Sequence, residues 1–187
     1  ITDHGNMFGA IEFYQQAYSA GIKPIIGAEV YIAPKDRHDK TQIRGLTEPS
    51  YHGTLLVKDM VGYRNLIRLV SLGYLEGFYY KPRVDKELLT KYHEGLIFLS
   101  GCVKGEIPVL CKKQRYDEAK KKILDFQKIF GQGNFYLELS EHNLEEQKQI
   151  NEYLIKESKE LGIPLVATND VHYLYQSDVQ SHDALLC

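Results

Sequence analysis

The chain has 187 residues, of which 43% are apolar and 26% are charged, so its composition is that of a soluble globular domain. Lys and Arg total 23 against 25 Asp and Glu, which gives a net charge of −2 and excludes a self-sufficient basic module for nucleic-acid binding. No apolar run approaches the roughly 18 residues of a membrane span, which excludes a membrane protein, and three cysteines without a Cys-x-x-Cys pair indicate a reducing, cytoplasmic setting.

Helix and strand patterns alternate along the whole chain. Apolar residues at a helical period predict helices over 8–20, 61–75, 85–93, 116–130 and 144–161. Short apolar runs predict strands over 24–32, 54–57, 96–99, 135–139 and 165–167, and the polar segment 34–51 predicts an exposed loop. Residues 1–4 resemble the end of a strand and 181–187 resemble part of a helix, so we expect a slice of a longer protein.

Helices that connect successive strands favour parallel pairing, because a parallel connection must cross over the sheet. Chains of this α/β class form either a closed barrel or an open sheet. In both architectures the chemistry collects at the carboxyl ends of the strands.

A recurring spacing leads from helix-ending glycines, through an apolar strand, to residues that can bind a metal ion. The interval is seven to nine positions, in the pairs Gly21 and Glu29, Gly95 and Cys102, Gly133 and His142, and Gly162 and Asp170. Strands of similar length that start from similar helix ends finish at the same edge of a sheet, so these side chains are expected to converge. Glu, Cys, His and Asp are metal-ligand types. The alternative is that polar residues simply favour the turns that follow strands.

Individual positions leave further alternatives open. Asp170 and His172 lie two apart, so on extended chain they would point the same way and serve one ion, or they form a turn with an exposed His. Asp3 could orient the ring of His4. Glu29 lies in an apolar strand, where a carboxylate must be paired or metal-bound. Cys102 suits zinc, but a free Cys is also a common buried residue.

Other polar residues fit the spacing less well. His52 precedes its strand, so the spacing does not include it, and His142 could be a ligand, a neighbour of a ligand, or a residue near a helix start. Arg83, in Lys81-Pro82-Arg83, could hold a phosphate or belong to a solvated turn. His182 lies in polar surroundings and is predicted to be a surface residue.

Several motifs together resemble the PHP domain (polymerase and histidinol phosphatase), and more closely the PHP domains of the alpha subunit of bacterial DNA polymerase III. They are Thr2-Asp3-His4-Gly5-Asn6-Met7-Phe8-Gly9, Lys23-Pro24-Ile25-Ile26-Gly27-Ala28-Glu29, Leu99-Ser100-Gly101-Cys102, Ala167-Thr168-Asn169-Asp170-x-His172-Tyr173, Gly62-Tyr63-Arg64-Asn65-Leu66 and Glu76-Gly77-Phe78-Tyr79-Tyr80-Lys81-Pro82-Arg83. The resemblance covers residues 1–187 as one domain.

This resemblance implies a distorted (β/α)7 TIM-like barrel whose rim binds up to three metal ions, usually zinc or manganese, through nine residues. Six of those positions match here, namely His4, Glu29, His52, Cys102, Asp170 and His172. The other three family ligands, a His-x-His motif and a following Asp, precede the position of His4. The resemblance therefore implies that the first strand and its ligands are missing from this sequence.

The resemblance also implies a reaction, which is metal-assisted phosphoester hydrolysis. In a replicative polymerase this means 3′–5′ exonuclease cleavage of a mismatched primer end, with Glu29 bridging ions and Asp170 binding an ion and accepting a proton. The implied partners are DNA held by the parent polymerase, the rest of the alpha subunit and replicase subunits such as the sliding clamp, and the polymerase itself would use Mg²⁺. The alternatives are a non-catalytic structural module and a free-standing phosphomonoesterase like histidinol phosphatase. The subfamily motifs at 62–66 and 76–83 argue against the second alternative.

Overall fold

A computed structural model describes residues 1–41 and 50–186, so the centre of the predicted loop 34–51 and Cys187 lie outside the described residues. The described strands are β1 (Gly27–Ile32), β2 (Tyr51–Val57), β3 (Arg83–Val84), β4 (Leu96–Leu99), β5 (Phe135–Ser140) and β6 (Leu165–Thr168). The described helices are α1 (Ala10–Ser19), α2 (Met60–Leu75), α3 (Lys86–Tyr92), α4 (Glu106–Lys112), α5 (Tyr116–Phe130), α6 (Glu145–Leu161) and α7 (Val179–Leu186).

The strands form one sheet in the order β3-β1-β2-β4-β5-β6. β1 and β3 are parallel, as are β4, β5 and β6, and this confirms the predicted α/β class. The expectation of parallel pairing throughout is wrong for β2, which is antiparallel to both β1 and β4. An antiparallel pair needs no crossover helix, and residues 33–41 after β1 contain none. The described sheet ends at β3 and β6, so it does not establish a closed barrel.

The hydrophobic core lies between the sheet and its helices, with Phe98 of β4 at its centre. The ring of Phe98 lies 4.7 Å from that of Phe126 and 4.8 Å from that of Phe130, and it also stacks near Phe135. The sequence predicts one apolar side of α5, made of Tyr116, Ala119, Ile123, Phe126 and Phe130. The structure buries all of them except Tyr116, which is 43% exposed. Periodicity therefore predicted both the extent of this helix and the side that it buries.

Two short elements have no counterpart in the predicted elements. α4 has seven residues and buries Ile107, Leu110 and Cys111 together with Glu106, so no polar face gives it a helical period. Its Pro108 lies in the first turn, where a missing N–H removes no helical hydrogen bond. β3 has two residues, which is too short to form a pattern.

Glycine permits the close approach on which the arrangement of α2 depends. A Cβ on Gly62 would lie 1.8 Å from the carbonyl oxygen of Gly95, in the turn that precedes β4. Gly95 has φ +71°, a left-handed conformation that favours glycine. α2 thus packs directly on the backbone that leads into the centre of the sheet. Among the described residues, no helix combines the length and apolarity that crossing a bilayer requires.

Candidate metal centre

Two neighbouring strands place a carboxylate and an imidazole on the same face of the sheet. In the β1–β2 pair Glu29 faces Thr54 and Tyr31 faces His52. Because side chains alternate between faces, Glu29 and His52 are diagonal neighbours on one face, and both are buried. Thr54 pairs in turn with Leu99, the last residue of β4. The start of the antiparallel β2 therefore lies beyond the carboxyl end of β4. His52 was predicted to precede its strand, but it is the second residue of β2, and this position brings it to the same site.

One oxygen of Glu29 contacts two imidazoles. Glu29 Oε1 lies 2.8 Å from His4 Nδ1 and 3.1 Å from His52 Nδ1. The first residues of the chain run beside β1, where the Glu29 N–H donates to the carbonyl of Asp3 and the Gly5 N–H donates to the carbonyl of Glu29. Asp3 was expected to orient the ring of His4. The structure assigns that contact to Glu29, and Asp3 contributes through its backbone.

These contacts shift the pKa values of the three side chains. Burial by itself would raise the pKa of Glu29, but the hydrogen bonds to His4 and His52 lower it to about 2. Burial by itself would lower the pKa of His52, but contacts with Cys102 and Glu29 raise it to about 10. The contact with Glu29 also raises the pKa of His4. A metal ion that takes these nitrogens must displace their protons, so metal affinity is expected to rise with pH.

The loop after β4 brings a sulfur atom to the same place. The backbone N–H of His52 donates to the carbonyl of Lys104, which holds this loop against β2. Cys102 Sγ lies 4.0 Å from His52 Nδ1. Ligand atoms of Glu29, His52 and Cys102 all lie within 4.8 Å of one another. A carboxylate oxygen, an imidazole nitrogen and a thiol fit the donor preferences of zinc.

All six predicted metal ligands line one cavity of about 870 Å³, namely His4, Glu29, His52, Cys102, Asp170 and His172. The ring of His172 lies 5.3 Å from that of His4, which joins the segment after β6 to the start of the chain. The expectation of extended chain at Asp170 is wrong, because this residue has φ +49°. His172 Nδ1 lies 2.7 Å from the Asp170 carbonyl oxygen and 3.9 Å from its carboxylate. Asp tolerates this left-handed conformation better than most residues.

Comparison with known proteins fits this geometry. The sequence model described as the PHP domain matches residues 1–142. The chain belongs to the PHP domain family. Over its whole length it is also 51% identical to the DNA polymerase III subunit alpha of Borreliella burgdorferi, 47% identical to that of Thermus aquaticus and 46% identical to that of Treponema pallidum. The chain spans only 16%, 15% and 16% of the length of these relatives.

Two further histidines of this PHP domain line the cavity. His142 Nε2 lies 3.1 Å from the carbonyl oxygen of Asn169, and its Nδ1 lies 2.9 Å from Gln147 Nε2. Both ring nitrogens are therefore in contact with polar atoms of the chain itself. His182, predicted to be a surface residue, is half-buried in α7 and lines the cavity, 5.7 Å from the ring of His172. No local pattern marks His182, since only the packing of α7 brings it there.

Arg83 occupies a place that neither interpretation of the sequence foresaw. Its side chain is 1% exposed, so the solvated turn is wrong, and it does not line the cavity. Its guanidinium donates to the carbonyls of Gly77, Arg37 and Asp39. Burial lowers the pKa of Arg83. Arg83 of the PHP domain thus holds the segment 37–39 against the turn before β3, rather than a phosphate at the metal centre.

Glu138 is the residue near the centre that sequence reasoning missed. This buried carboxylate of β5 accepts hydrogen bonds from the Gly101 N–H at 3.0 Å and the Thr168 hydroxyl at 2.7 Å. Burial raises its pKa, and the nearby carboxylates of Asp170 and Glu29 raise it further. Glu138 therefore ties the loop that carries Cys102 to the strand that leads to Asp170. The available signal is a lone Glu in an apolar strand, the same pattern that marks Glu29.

Proposed function

We propose that this PHP domain is the metal-dependent phosphodiesterase of a replicative DNA polymerase III alpha subunit and removes nucleotides from a primer 3′ end. The observation that carries the proposal is one cavity lined by all six predicted metal ligands, in which Glu29 Oε1 already contacts two imidazoles. The full-length similarity to proteins named DNA polymerase III subunit alpha supports the polymerase setting. The complete protein would then be a DNA-directed DNA polymerase of the cytoplasm.

The residues divide the work by their chemistry. His4, Glu29, His52, Cys102, Asp170 and His172 would hold zinc or manganese, up to three ions in a complete (β/α)7 barrel. Bound divalent metals would activate water and neutralise phosphate charge. Glu29 presents one oxygen between two ligand nitrogens, which suits a bridging carboxylate. Asp170 would take the proton from the attacking water, because it lines the same cavity as the other predicted ligands.

The wider partners follow from the same setting. The near-neutral charge of the chain gives it little grip on DNA by itself, so the rest of the alpha subunit would hold the strand. The sliding clamp would act through that same parent protein, whose polymerase site would use Mg²⁺.

A structural role is the second candidate, and one observation favours it. Glu29 ties the start of the chain at His4 to β2 at His52 through its own hydrogen bonds. This contact stabilises the junction of three segments independently of any reaction. In that case metal binding would stabilise the polymerase and nothing would be hydrolysed.

The experiment that separates the two candidates uses the complete polypeptide that carries this chain. We would measure bound metal by mass spectrometry and release of a mismatched 3′ nucleotide, with pyrophosphate omitted so that reversal of polymerisation cannot contribute. Asp170→Asn should lower release by about 100-fold or more, since proton transfer and metal binding are both affected. Asp117→Asn, an exposed change in the first turn of α5, is the matched control. Metal-loaded protein that releases no nucleotide would refute the proposed nuclease activity and favour the structural role.

A further inference from the structure

A strained turn lies beside the metal-binding cavity. Tyr80 has φ +59°, which is rare for a bulky residue, and its ring is 75% exposed. The turn is closed by a backbone hydrogen bond in which the Tyr79 N–H donates to the carbonyl of Lys81. The Tyr80 ring lies 4.7 Å from the Tyr79 ring, edge to face, and the residue still remains 75% exposed, so most of its surface is available to a ligand. Strain of this kind concentrates where a side chain must be presented to a ligand.

The neighbouring Lys81 reaches into the cavity. Its Nζ lies 5.5 Å from the centroid of the Tyr31 ring, and Tyr31 packs edge-on against His52 at 5.1 Å. Lys81 and Tyr31 both line the cavity with the metal ligands. No carboxylate of the described residues forms an ion pair with Lys81. Its positive charge therefore faces the same cavity as the candidate metal ligands, where it would attract an anionic group.

The turn is held rigidly from two sides. Arg83 lies 5.0 Å from the Tyr79 ring and anchors the following strand through its hydrogen bonds to backbone carbonyls. Pro82 packs against the start of the chain, where a Cβ on Gly5 would lie 2.8 Å from Pro82 Cγ. The turn and His4 are thus fixed to each other. A rigid element of this kind positions a ligand at little entropic cost.

We infer that the turn Tyr79–Lys81 holds single-stranded nucleic acid at the cavity, with Lys81 contacting a backbone phosphate and the exposed Tyr80 ring stacking on a base. This inference rests on the proposed function and narrows its substrate. A phosphomonoester without a neighbouring base would contact Lys81 but would offer no base on which Tyr80 could stack. An unpaired primer end uses both, since every base offers a π-face and aromatic stacking tolerates any sequence.

The direct test is photocrosslinking in the complete polypeptide that carries this chain. The probe is a single-stranded oligothymidylate with uncleavable phosphorothioate linkages and 5-iododeoxyuridine at its 3′ end. After irradiation, peptide mass spectrometry is expected to find the crosslink on Tyr80. Lys81→Gln should lower its yield about fivefold, because a charge-assisted phosphate contact is lost. Lys91→Gln is the control, since Lys91 also lies over a tyrosine ring, at 5.3 Å, but outside the cavity.

A kinetic arm separates the two chemistries. Tyr80→Gly should raise the KM for a mismatched primer about tenfold and leave that for a primer with an abasic 3′ end unchanged, because only stacking is removed. Lys81→Gln should raise both. Tyr80→Gly also keeps the fold, since glycine adopts a positive φ without strain, so its melting temperature should not fall.

The outcomes separate this inference from the proposed function. Crosslinks that form only elsewhere, or no crosslink, would overturn the inference. Hydrolysis that is lost in Asp170→Asn but unchanged in the Tyr80 and Lys81 variants would also overturn the inference, and it would support the proposed nuclease activity. A Lys81-dependent crosslink to Tyr80 in protein that hydrolyses nothing would support the inference and refute the nuclease.

Discussion

Glu106, the first residue of α4, is the carboxylate of a buried ion cluster that joins three helices. Its two oxygens lie 3.0 Å from the ammonium nitrogens of Lys86 in α3 and of Lys122 in α5. Lys86 also lies 4.9 Å from the Phe126 ring. Glu106→Gln keeps the shape of the side chain and removes its charge, so two ammonium groups are left close together without their shared partner.

The expected cost follows from the burial of these groups. Removing one partner of a fully buried ion pair costs about 3–5 kcal/mol. Here the two lysine side chains keep 31% and 30% exposure, and Asp125 remains 3.8 Å from Lys86. Because solvent and Asp125 compensate part of the loss, we expect Glu106→Gln to lower the free energy of unfolding by about 2 kcal/mol. Adding Lys86→Met should recover part of that loss, since an apolar residue needs no counterion.

Urea denaturation of the chain, followed by far-ultraviolet circular dichroism, measures this difference as a shift of the midpoint at constant slope. The matched control is Glu118→Gln, which removes a carboxylate paired with Arg115 on the exposed side of α5. Exposed ion pairs contribute little, so the control should leave the midpoint unchanged. A midpoint for Glu106→Gln no lower than that of Glu118→Gln would show that the Glu106 ion cluster does not stabilise the fold.

Two further pairs of variants test the packing and the centre. Gly62→Ala should cost about 2 kcal/mol or more, because its Cβ would meet the Gly95 carbonyl, whereas Gly73→Ala in the same helix has ordinary contacts and should be neutral or stabilising in thermal melts. Cys102→Ser should lower zinc affinity at least tenfold by calorimetry, while Cys111→Ser should not. Iodoacetamide at neutral pH should label Cys102 and spare Cys111, since burial raises the pKa of Cys111 to about 12, and equal labelling would contradict this.

Features that depend on local periodicity and conformation could be predicted from the amino-acid sequence. The strand 96–99 coincides with β4, which buries Leu96, Phe98 and Leu99 of a short apolar run. The helix 116–130 coincides with α5, which buries one side at a helical period. The helix-ending glycines Gly95 and Gly162 both have positive φ, as their position past a helix predicts. The interval from Gly95 to Cys102 predicted that Cys102 lies at the edge of the sheet, and its sulfur atom does lie there, close to Glu29.

The meeting of distant segments, and the direction in which they run, depend on long-range packing. The spacing could not place His52, because a sequence does not record that β2 runs antiparallel and begins at the edge where β4 ends. Arg83 is equally polar in a solvated turn and in a buried one, and its burial depends on carbonyls contributed by residues more than forty positions away. The contacts of Glu29 with His4 and His52 join distant segments, so the candidate metal centre forms only once the sheet is assembled.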